Sequence, residues 1–210
     1  HRKYQSTAKE IHVTCLMIEP VSNMTANHAV CNWHRHNDPL PDLHLSFCYG
    51  LYEYNRLAGA GIGCKTLLGV AMVGNPCGRP TGPDRKLILE IRRVCFKPGV
   101  KFHQLRRYYT DKIFKDEMSK RVMPVLVRNL DGTQPFAQGN AINAYTVPSF
   151  FLRVAEFYVK QKFTNIKKLW TYIQETEDGR YISEAGYHID HYVKSRGPRH
   201  VAKLRFAKEL

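Results

Sequence analysis

The sequence lacks the features that would define a membrane-spanning, repetitive or disordered protein. No apolar run reaches the roughly 20 residues that a bilayer-spanning helix needs, and no signal-peptide pattern opens the chain, so we expect a cytoplasmic location. No internal repeat or low-complexity segment is present, and 43% of the residues are apolar, as in ordinary globular proteins. At 210 residues the chain is long enough to form one domain with a full core.

The cysteines include no Cys-x-x-Cys pair. The six are Cys15, Cys31, Cys48, Cys64, Cys77 and Cys95. Most of them lie in apolar, strand-like runs, which favours reduced and buried thiols in a cytosolic protein over a disulfide framework. Their spacing also argues against a zinc site.

Acidic residues are scarce beside basic ones. The 32 Lys and Arg residues against 18 Asp and Glu residues give a formal net charge of +14. Such a surface attracts polyanions, of which nucleic acid is the commonest. A merely soluble basic protein is the simpler alternative. An acyl-CoA or nucleotide substrate would also favour positive charge, but it would not need so much of it.

The hydrophobic periodicity predicts the order β-α-β-β-β, an excursion, and then α-β-α-β. Strands are predicted at 11–18, 44–54, 66–76, 86–96, 167–175 and 187–193, and helices at 22–33, 149–163 and 182–186. A hairpin meander followed by a crossover helix indicates a mixed sheet in a single α/β domain over residues 1–210. The excursion at 101–142 is predicted to be a basic insertion with a short helix around 103–121, and residues 191–210 are predicted to form a basic C-terminal tail.

Several phrases of the sequence resemble the GNAT acyltransferases, in particular a phage and bacterial subgroup that neighbours the Mom DNA-modification protein of bacteriophages. The phrases are HRHNDP (34–39), LLGVAMVGNP (67–76), LEIRRVCF (89–96), NAYT (143–146), LWTYIQE (169–175) and EAGY (184–187). The resemblance covers roughly residues 11–100 and 140–206. It implies a GNAT-like mixed β-sheet flanked by helices, in which the fourth strand splays from the fifth and acetyl-CoA or another acyl-CoA lies between them.

The resemblance also implies where the cofactor would bind. Its pyrophosphate would rest at the start of the helix after the insertion, where unpaired N–H groups and the helix dipole favour an anion. The implied cofactor-binding residues are Arg93, Val94, Cys95, Asn143, Thr146 and Ser149. Thr146 or Ser149 can cap the helix, and Pro148 suits its first turn. The glycine-rich Arg/Gln-x-x-Gly-x-Gly/Ala loop of GNAT enzymes is absent, so an ordinary capped helix is the alternative.

The fourth strand carries charged residues in an otherwise apolar run. Regular alternation would put two triplets on opposite faces, Glu90, Arg92 and Val94 against Ile91, Arg93 and Cys95. Arg93 would then share a face with Ile91, which is costly unless the guanidinium meets an anion such as a cofactor or DNA phosphate. Glu90 could act as a general base on an amine, directly or through water. A structural ion pair between Glu90 and an arginine is the alternative.

Two histidines and two tyrosines complete the predicted catalytic set. The resemblance places His34 and His36 beside the acceptor substrate, where either could shuttle a proton or hold a phosphate. They could alternatively contribute to a metal site, such as the iron that the Mom relative needs, or simply end a helix. Against the metal, Gln174 stands where the Mom-like pattern has an aspartate, and we expect no metal. Tyr172 lies on the predicted fifth strand and Tyr181 follows the next turn, and GNAT enzymes often use a tyrosine beyond the fifth strand to protonate the departing thiolate. Tyr181 fits the place of a tyrosine in the Mom-like pattern, although most tyrosines of a protein serve packing.

Basic residues near aromatic ones form the predicted nucleic-acid-binding set. Its members are Arg35, Arg106, Arg107, Tyr108, Lys112, Lys194, Arg196 and Arg199. Lysine and arginine contacts to phosphate supply affinity without reading sequence, and an aromatic ring can hold an extruded base. A solvated charged surface is the alternative reading.

These observations predict a phage-type transferase that passes an acyl group from acyl-CoA to an amine of a modified DNA base. Two alternatives stay open. One is a non-catalytic nucleic-acid-binding module on a degenerate GNAT scaffold, which suits the missing glycine-rich loop. The other is a GNAT acetyltransferase for protein or small-molecule amines, which leaves the charge of +14 unexplained.

Overall fold

The computed structural model describes the greater part of the chain. The described residues are 12–33, 39–41, 44–57, 63–77, 86–100, 125–131, 135–137, 147–194 and 201–210. Within them lie nine strands and three helices. The strands are β1 His12–Val21, β2 Leu45–Leu57, β3 Gly63–Gly74, β4 Ile88–Phe96, β5 Val125–Arg128, β6 Pro135–Ala137, β7 Lys168–Gln174, β8 His188–Val193 and β9 Lys203–Glu209. The helices are α1 Asn23–Trp33, α2 Val147–Lys162 and α3 Arg180–Glu184.

All nine strands belong to one sheet, in the order β6-β5-β1-β2-β3-β4-β7-β9-β8. The meander β1 to β4 is antiparallel throughout. Two neighbouring pairs are parallel, β1 with β5 and β4 with β7, and the remaining pairs are antiparallel. The predicted mixed sheet flanked by helices is therefore confirmed. The β4–β7 pair matters most for the site, because it joins the meander to the second half of the chain.

Helix α1 begins where the sequence predicts. The Ser22 side-chain oxygen accepts a hydrogen bond from the Thr25 backbone N–H over 3.0 Å, which satisfies one of the free donors of the first turn. The helix buries Ala26, Ala29 and Val30 against one face of the sheet. These side chains form a small apolar cluster with residues of β2, β3 and β4.

Helix α2 covers the opposite face and supplies most of the core. Its apolar stripe buries Phe151, Val154 and Tyr158, and Phe157 packs half-buried beside them. Tyr158 meets Tyr49 of β2 with ring centroids 5.4 Å apart, and Tyr49 donates a hydrogen bond to the Phe151 carbonyl. Each apolar side chain fully buried in this cluster stabilises the fold by roughly 1.5–3 kcal/mol. This packing holds α2 firmly over the middle of the sheet.

The structure corrects two parts of the predicted element order. Residues 203–209, predicted as part of a basic tail, form β9, which inserts between β7 and β8. The 101–142 insertion contributes β5 and β6, which extend the sheet beyond β1. Arg128 of β5 and Lys65 of β3 both pair with Glu19 of β1. The insertion is thus partly built into the sheet rather than wholly a loop.

Two further observations concern the length of the helices and the exposure of the cysteines. None of the helices in the described ranges is long and apolar enough to cross a bilayer. Among the described cysteines, Cys48 and Cys95 are buried, while Cys31, Cys64 and Cys77 are exposed and unpaired. The prediction that most of the cysteines are buried is therefore wrong for these three, because two lie near strand ends or turns and one on the outer face of α1.

Candidate functional site

A fork between two parallel strands forms the candidate site. Strands β4 and β7 pair only from Ile88 with Lys168 to Ile91 with Thr171, although β4 continues to Phe96 and β7 to Gln174. The Thr171 hydroxyl donates a hydrogen bond to the Ile91 carbonyl over 3.2 Å at the point of separation. Beyond it the two inner strand edges face a cavity of about 360 Å³, which is within the range of small-molecule sites.

A β-bulge in β4 sets which side chains reach the fork. Met72 of β3 pairs with Arg93, whereas the next residue Val73 pairs with Ile91, so Arg92 is left without an opposite residue. An extra residue reverses the alternation of side chains beyond it. Arg93 and Cys95 consequently lie on the α1 side with Met72, and Val94 packs with Ile91 on the α2 side.

The predicted face assignment of β4 is therefore wrong beyond the bulge. Arg93 does not share a face with Ile91. Glu90 pairs with Gly74, and Arg93 pairs with Met72. Because Gly74 and Met72 are two residues apart on β3 and share a face, Glu90 lies on the same face as Arg93. Two arginines and one glutamate of β4 thus line the cavity: Glu90, Arg92 and Arg93.

Glu90 is the most deeply buried charged group of the cavity, with only 4% of its surface exposed. Burial raises the pKa of its carboxyl above the usual 4.5, although the Cys77 backbone N–H and the two neighbouring arginines oppose this shift. That N–H donates to Glu90 Oε2 over 2.7 Å and fixes the carboxylate at the wall of the cavity. A buried carboxyl with a raised pKa is suited to accept a proton near neutral pH.

Two tyrosines line the opposite wall. Tyr181 stands in the first turn of α3, and burial raises the pKa of its hydroxyl to about 12, helped by Glu177 and Asp178. Burial likewise raises the pKa of Tyr172 on β7, against a hydrogen bond from Arg205. Both hydroxyls therefore keep their protons at neutral pH and can donate them.

Three further charged side chains line the cavity, those of Arg93, Glu177 and Lys203. Arg93 donates a hydrogen bond from Nη1 to the Arg92 carbonyl over 2.7 Å. The Glu177 carboxylate accepts the Gln174 backbone N–H over 2.8 Å and closes the turn after β7. Lys203, the first residue of β9, lines the cavity next to that turn. The described residues of the cavity thus carry three basic and two acidic side chains.

The structure brings five of the predicted site residues together at this fork: Glu90, Arg93, Val94, Tyr172 and Tyr181. They come from β4, β7 and α3, which are separated in sequence. The cavity also includes residues that the sequence analysis did not assign to a site: Cys77, Ile91, Arg92, Thr171, Ile173, Gln174, Glu177, Val193 and Lys203. Of these, only Arg92 gave a signal in the sequence, as a charge inside an apolar strand beside the predicted Arg93.

Three predicted site residues lie elsewhere. Cys95 is buried in the cluster beneath α1, where burial raises the pKa of its thiol to about 12. Ser149 is fully buried in α2, and its hydroxyl donates to Glu184 of α3 over 3.0 Å. This hydroxyl therefore joins two helices. Lys194 is exposed just after β8 and does not line the cavity.

The other predicted residues lie outside the described part of the chain. They are His34, Arg35, His36, Arg106, Arg107, Tyr108, Lys112, Asn143, Thr146, Arg196 and Arg199. Their assignments to the acceptor side, the cofactor and nucleic acid stay predictions.

Comparison with known proteins finds likeness at the level of structure. No family model matches the chain, and no curated protein matches it. An N-acetyltransferase from Staphylococcus aureus Mu50 shares 10% identity over 92% of this chain and 98% of its own, with a TM-score of 0.47. A GNAT-family acetyltransferase from Streptococcus pneumoniae shares 10% identity over 93% of this chain and 99% of its own, with a TM-score of 0.47. A Bacillus subtilis acetyltransferase in complex with CoA shares 12% identity over 93% of this chain and 99% of its own, with a TM-score of 0.42.

Proposed function

We propose that this protein is a GNAT-type acyltransferase that moves an acyl group from acyl-CoA to an amine. The observation that carries the proposal is the β4–β7 fork, where two parallel neighbours stop pairing and enclose a cavity. Their inner edges offer backbone donors and acceptors to an extended ligand, as an added strand would use them. A cavity of about 360 Å³ between apolar and polar walls fits the slender thiol arm of CoA.

The residues at the fork divide the proton transfers between them. Acyl-CoA would supply the acyl group as a thioester, whose carbon forms a bond to the amine nitrogen as its bond to sulfur breaks. Glu90 takes the proton that the amine loses, directly or through water. Tyr181 gives its proton to the departing sulfur, and exchange with solvent then restores both side chains. Ile173, Val94 and Val193 keep part of the cavity apolar.

We further propose that the amine acceptor is a base in DNA, as in the phage subgroup that the sequence resembles. The support is the net charge of +14, together with Lys203 at the cavity and exposed Lys194 nearby. Phosphate contacts from such residues would draw a polyanionic acceptor toward the fork. Protein and small-molecule amines are the competing acceptors, and they require no such charge.

Binding of acetyl-CoA tests the cleft directly. We expect isothermal titration calorimetry to detect binding to the full chain, and Val193→Trp, which fills the cavity, to weaken it about ten-fold or more. Val201→Trp is the matched control, because Val201 is 49% exposed and does not line the cavity. If acetyl-CoA, propionyl-CoA and succinyl-CoA all fail to bind the unaltered protein, the acyltransferase proposal is wrong and a non-catalytic role takes its place.

The acceptor is tested separately. We expect affinity for duplex DNA, measured by fluorescence anisotropy, to fall steeply between about 50 and 200 mM salt, since phosphate contacts release counterions. Mass spectrometry of nucleosides from DNA incubated with protein and acyl-CoA should then show a nucleoside heavier by the acyl group. DNA affinity without salt dependence, or acylation of a polyamine but of no nucleoside, would reject the DNA acceptor and leave the acyltransferase intact.

A further inference from the structure

The side chain of Arg92 lines the cavity with one of its N–H donors unsatisfied. It is half-buried, and its Nε atom is buried without a hydrogen-bond partner among the described residues. Within the same residues, the ion pairs of the sheet are formed by other side chains and none includes Arg92. A guanidinium taken partly out of water without a counter-charge is costly.

The bulge explains why Arg92 points to the fork. Because no residue of β3 stands opposite Arg92, this residue is released from the regular pleat. It directly follows Ile91, the last residue of β4 that pairs with β7, and so begins the unpaired edge. A strand that needed only stability would place an apolar residue here, as at Ile91 and Val94.

The neighbours of Arg92 do not account for its charge. It interacts with the thiol of Cys77, which is a weak acceptor and stays protonated: although the residue as a whole is exposed, partial desolvation of the thiol raises its pKa. Glu90 lies close enough to influence Arg92 electrostatically but forms no ion pair with it, and its carboxylate already accepts the Cys77 N–H. The adjacent Arg93 adds a second positive charge to the lining of the cavity.

We propose that Arg92 forms an anion-binding subsite for a carboxylate or phosphate carried by a substrate of the transfer reaction. This inference rests on the proposed acyltransferase function. A guanidinium presents parallel N–H donors that match either anion in bidentate fashion. Because Arg92 lies beside Glu90 at the closed end of the fork, the anion belongs near the reacting groups. It is therefore a second carboxylate on the acyl group, or a phosphate or carboxylate next to the acceptor amine.

Paired ligands distinguish the two sources. The first pair is succinyl-CoA and acetyl-CoA, which differ by one carboxylate on the acyl group. The second pair is deoxyadenosine 5′-monophosphate and deoxyadenosine, measured with CoA present, which differ by one phosphate. We expect calorimetry on the full chain to show at least about ten-fold tighter binding of the anionic member in one of the two pairs.

Substitutions then assign that preference to Arg92. Arg92→Met should remove most of it while the affinity for the neutral member changes less than about two-fold, and Arg92→Lys should retain part of it, because a lysine keeps the charge without the planar fork. Arg180→Met is the control for net charge, since the Arg180 side chain is 80% exposed and does not line the cavity. It should keep the full preference.

The outcomes separate this inference from the function on which it rests. Equal binding within both pairs, or a preference that survives in folded Arg92→Met, overturns the subsite even if both acyl-CoA ligands bind. If neither acyl-CoA binds but the nucleotide preference is present and lost in Arg92→Met, the subsite stands and the acyltransferase proposal falls. Thermal unfolding of each variant without ligand confirms that the loss is not one of folding.

Discussion

The guanidinium carbon of Arg205 lies 4.0 Å from the centroid of the Trp170 ring, so that the side chain of β9 stacks on that of β7. Asp190 of β8 accepts hydrogen bonds from the same guanidinium, Nε to Oδ1 over 2.7 Å and Nη2 to Oδ2 over 3.1 Å. The guanidinium also hydrogen-bonds the Tyr172 hydroxyl at the cavity. One arginine therefore connects the three strands that form one wall of the site.

Loss of the Asp190 charge should destabilise the fold. The side chains of Arg205 and Asp190 are only 21% and 19% exposed, although the β8 backbone around Asp190 is exposed. Asp190→Asn should therefore lower the free energy of unfolding by about 1–3 kcal/mol, measured by urea denaturation. Glu209→Gln is the control, because Glu209 pairs with Lys168 but is 64% exposed, and it should cost less than about 1 kcal/mol. Equal losses in the two variants would mean that the Asp190–Arg205 pair is no stronger than a surface pair.

Glu90→Gln should reduce turnover without preventing cofactor binding. Loss of a general base lowers kcat by about 10²–10⁴. Because burial raises the pKa of Glu90, kcat/KM of the unaltered protein should rise with pH through that raised pKa, and the variant should lack this rise. Glu53→Gln on β2, outside the cavity, should keep both the rate and the pH profile. An unchanged pH profile in Glu90→Gln would exclude Glu90 as the base.

The same substitution should not destabilise the protein at neutral pH. The pKa of Glu90 in the folded state is raised above 4.5, so the ionised carboxylate opposes folding at pH 7. This free-energy cost is absent below the pKa of the unfolded chain and grows as the pH rises toward and through the pKa of the folded protein. Glu90→Gln should therefore be at least as stable as the unaltered protein at pH 7, and its relative stability should decrease toward pH 4. Urea denaturation at the two pH values measures this, and a less stable variant at pH 7 would contradict it.

Tyr181→Phe should lower kcat by about 100-fold, because the departing sulfur loses its proton donor. The pKa of Tyr181 is about 12, so the unaltered protein should show no alkaline loss of rate from this group below about pH 10. Tyr192→Phe is the matched control, since Tyr192 is 43% exposed and donates to Glu175 outside the cavity. Similar rates for the two variants would show that Tyr181 serves packing alone.

Gly74→Ala should destabilise the fold through a backbone collision. A Cβ atom at Gly74 would overlap the carbonyl of His44, which also accepts the Asn75 N–H over 3.1 Å. Neither backbone segment can move without disturbing β2 or β3, so we expect a loss of about 3 kcal/mol in urea denaturation. Gly99→Ala, where φ is +83° and nothing lies within 4 Å of the added atom, should cost about 1–2 kcal/mol. A smaller loss at Gly74 than at Gly99 would contradict this account.

Local pattern was sufficient for the elements with long, regular hydrophobic runs. Strands β1 to β4 and β7 and helices α1 and α2 were predicted at nearly their observed positions, because each has an apolar period that its own side chains define. Strand β9 was missed because KLRFAKE alternates basic with apolar residues and looks like a solvated tail. It becomes a strand through its pairing with β7 and β8 on both sides.

For the candidate site too, some residues were selected from the sequence and others were recognised only in the structure. Glu90, Arg93, Tyr172 and Tyr181 were selected from the sequence because charge inside an apolar strand, and the resemblance, drew attention to them. The face on which Arg93 lies was predicted wrongly, since one unpaired residue at Arg92 reverses the alternation and no sequence pattern marks it. The same bulge left Arg92 unassigned until its surroundings were known.

The sequence by itself determined the strands and helices that have a regular apolar period, the basic charge and the chemical groups available, because these depend on neighbouring residues along one chain. Only the tertiary structure decided where β4 parts from β7, which residue bulges, and which distant side chains share the cavity. The physical reason is that strand register and pairing come from contacts between segments far apart in sequence, whose free energies no local period contains.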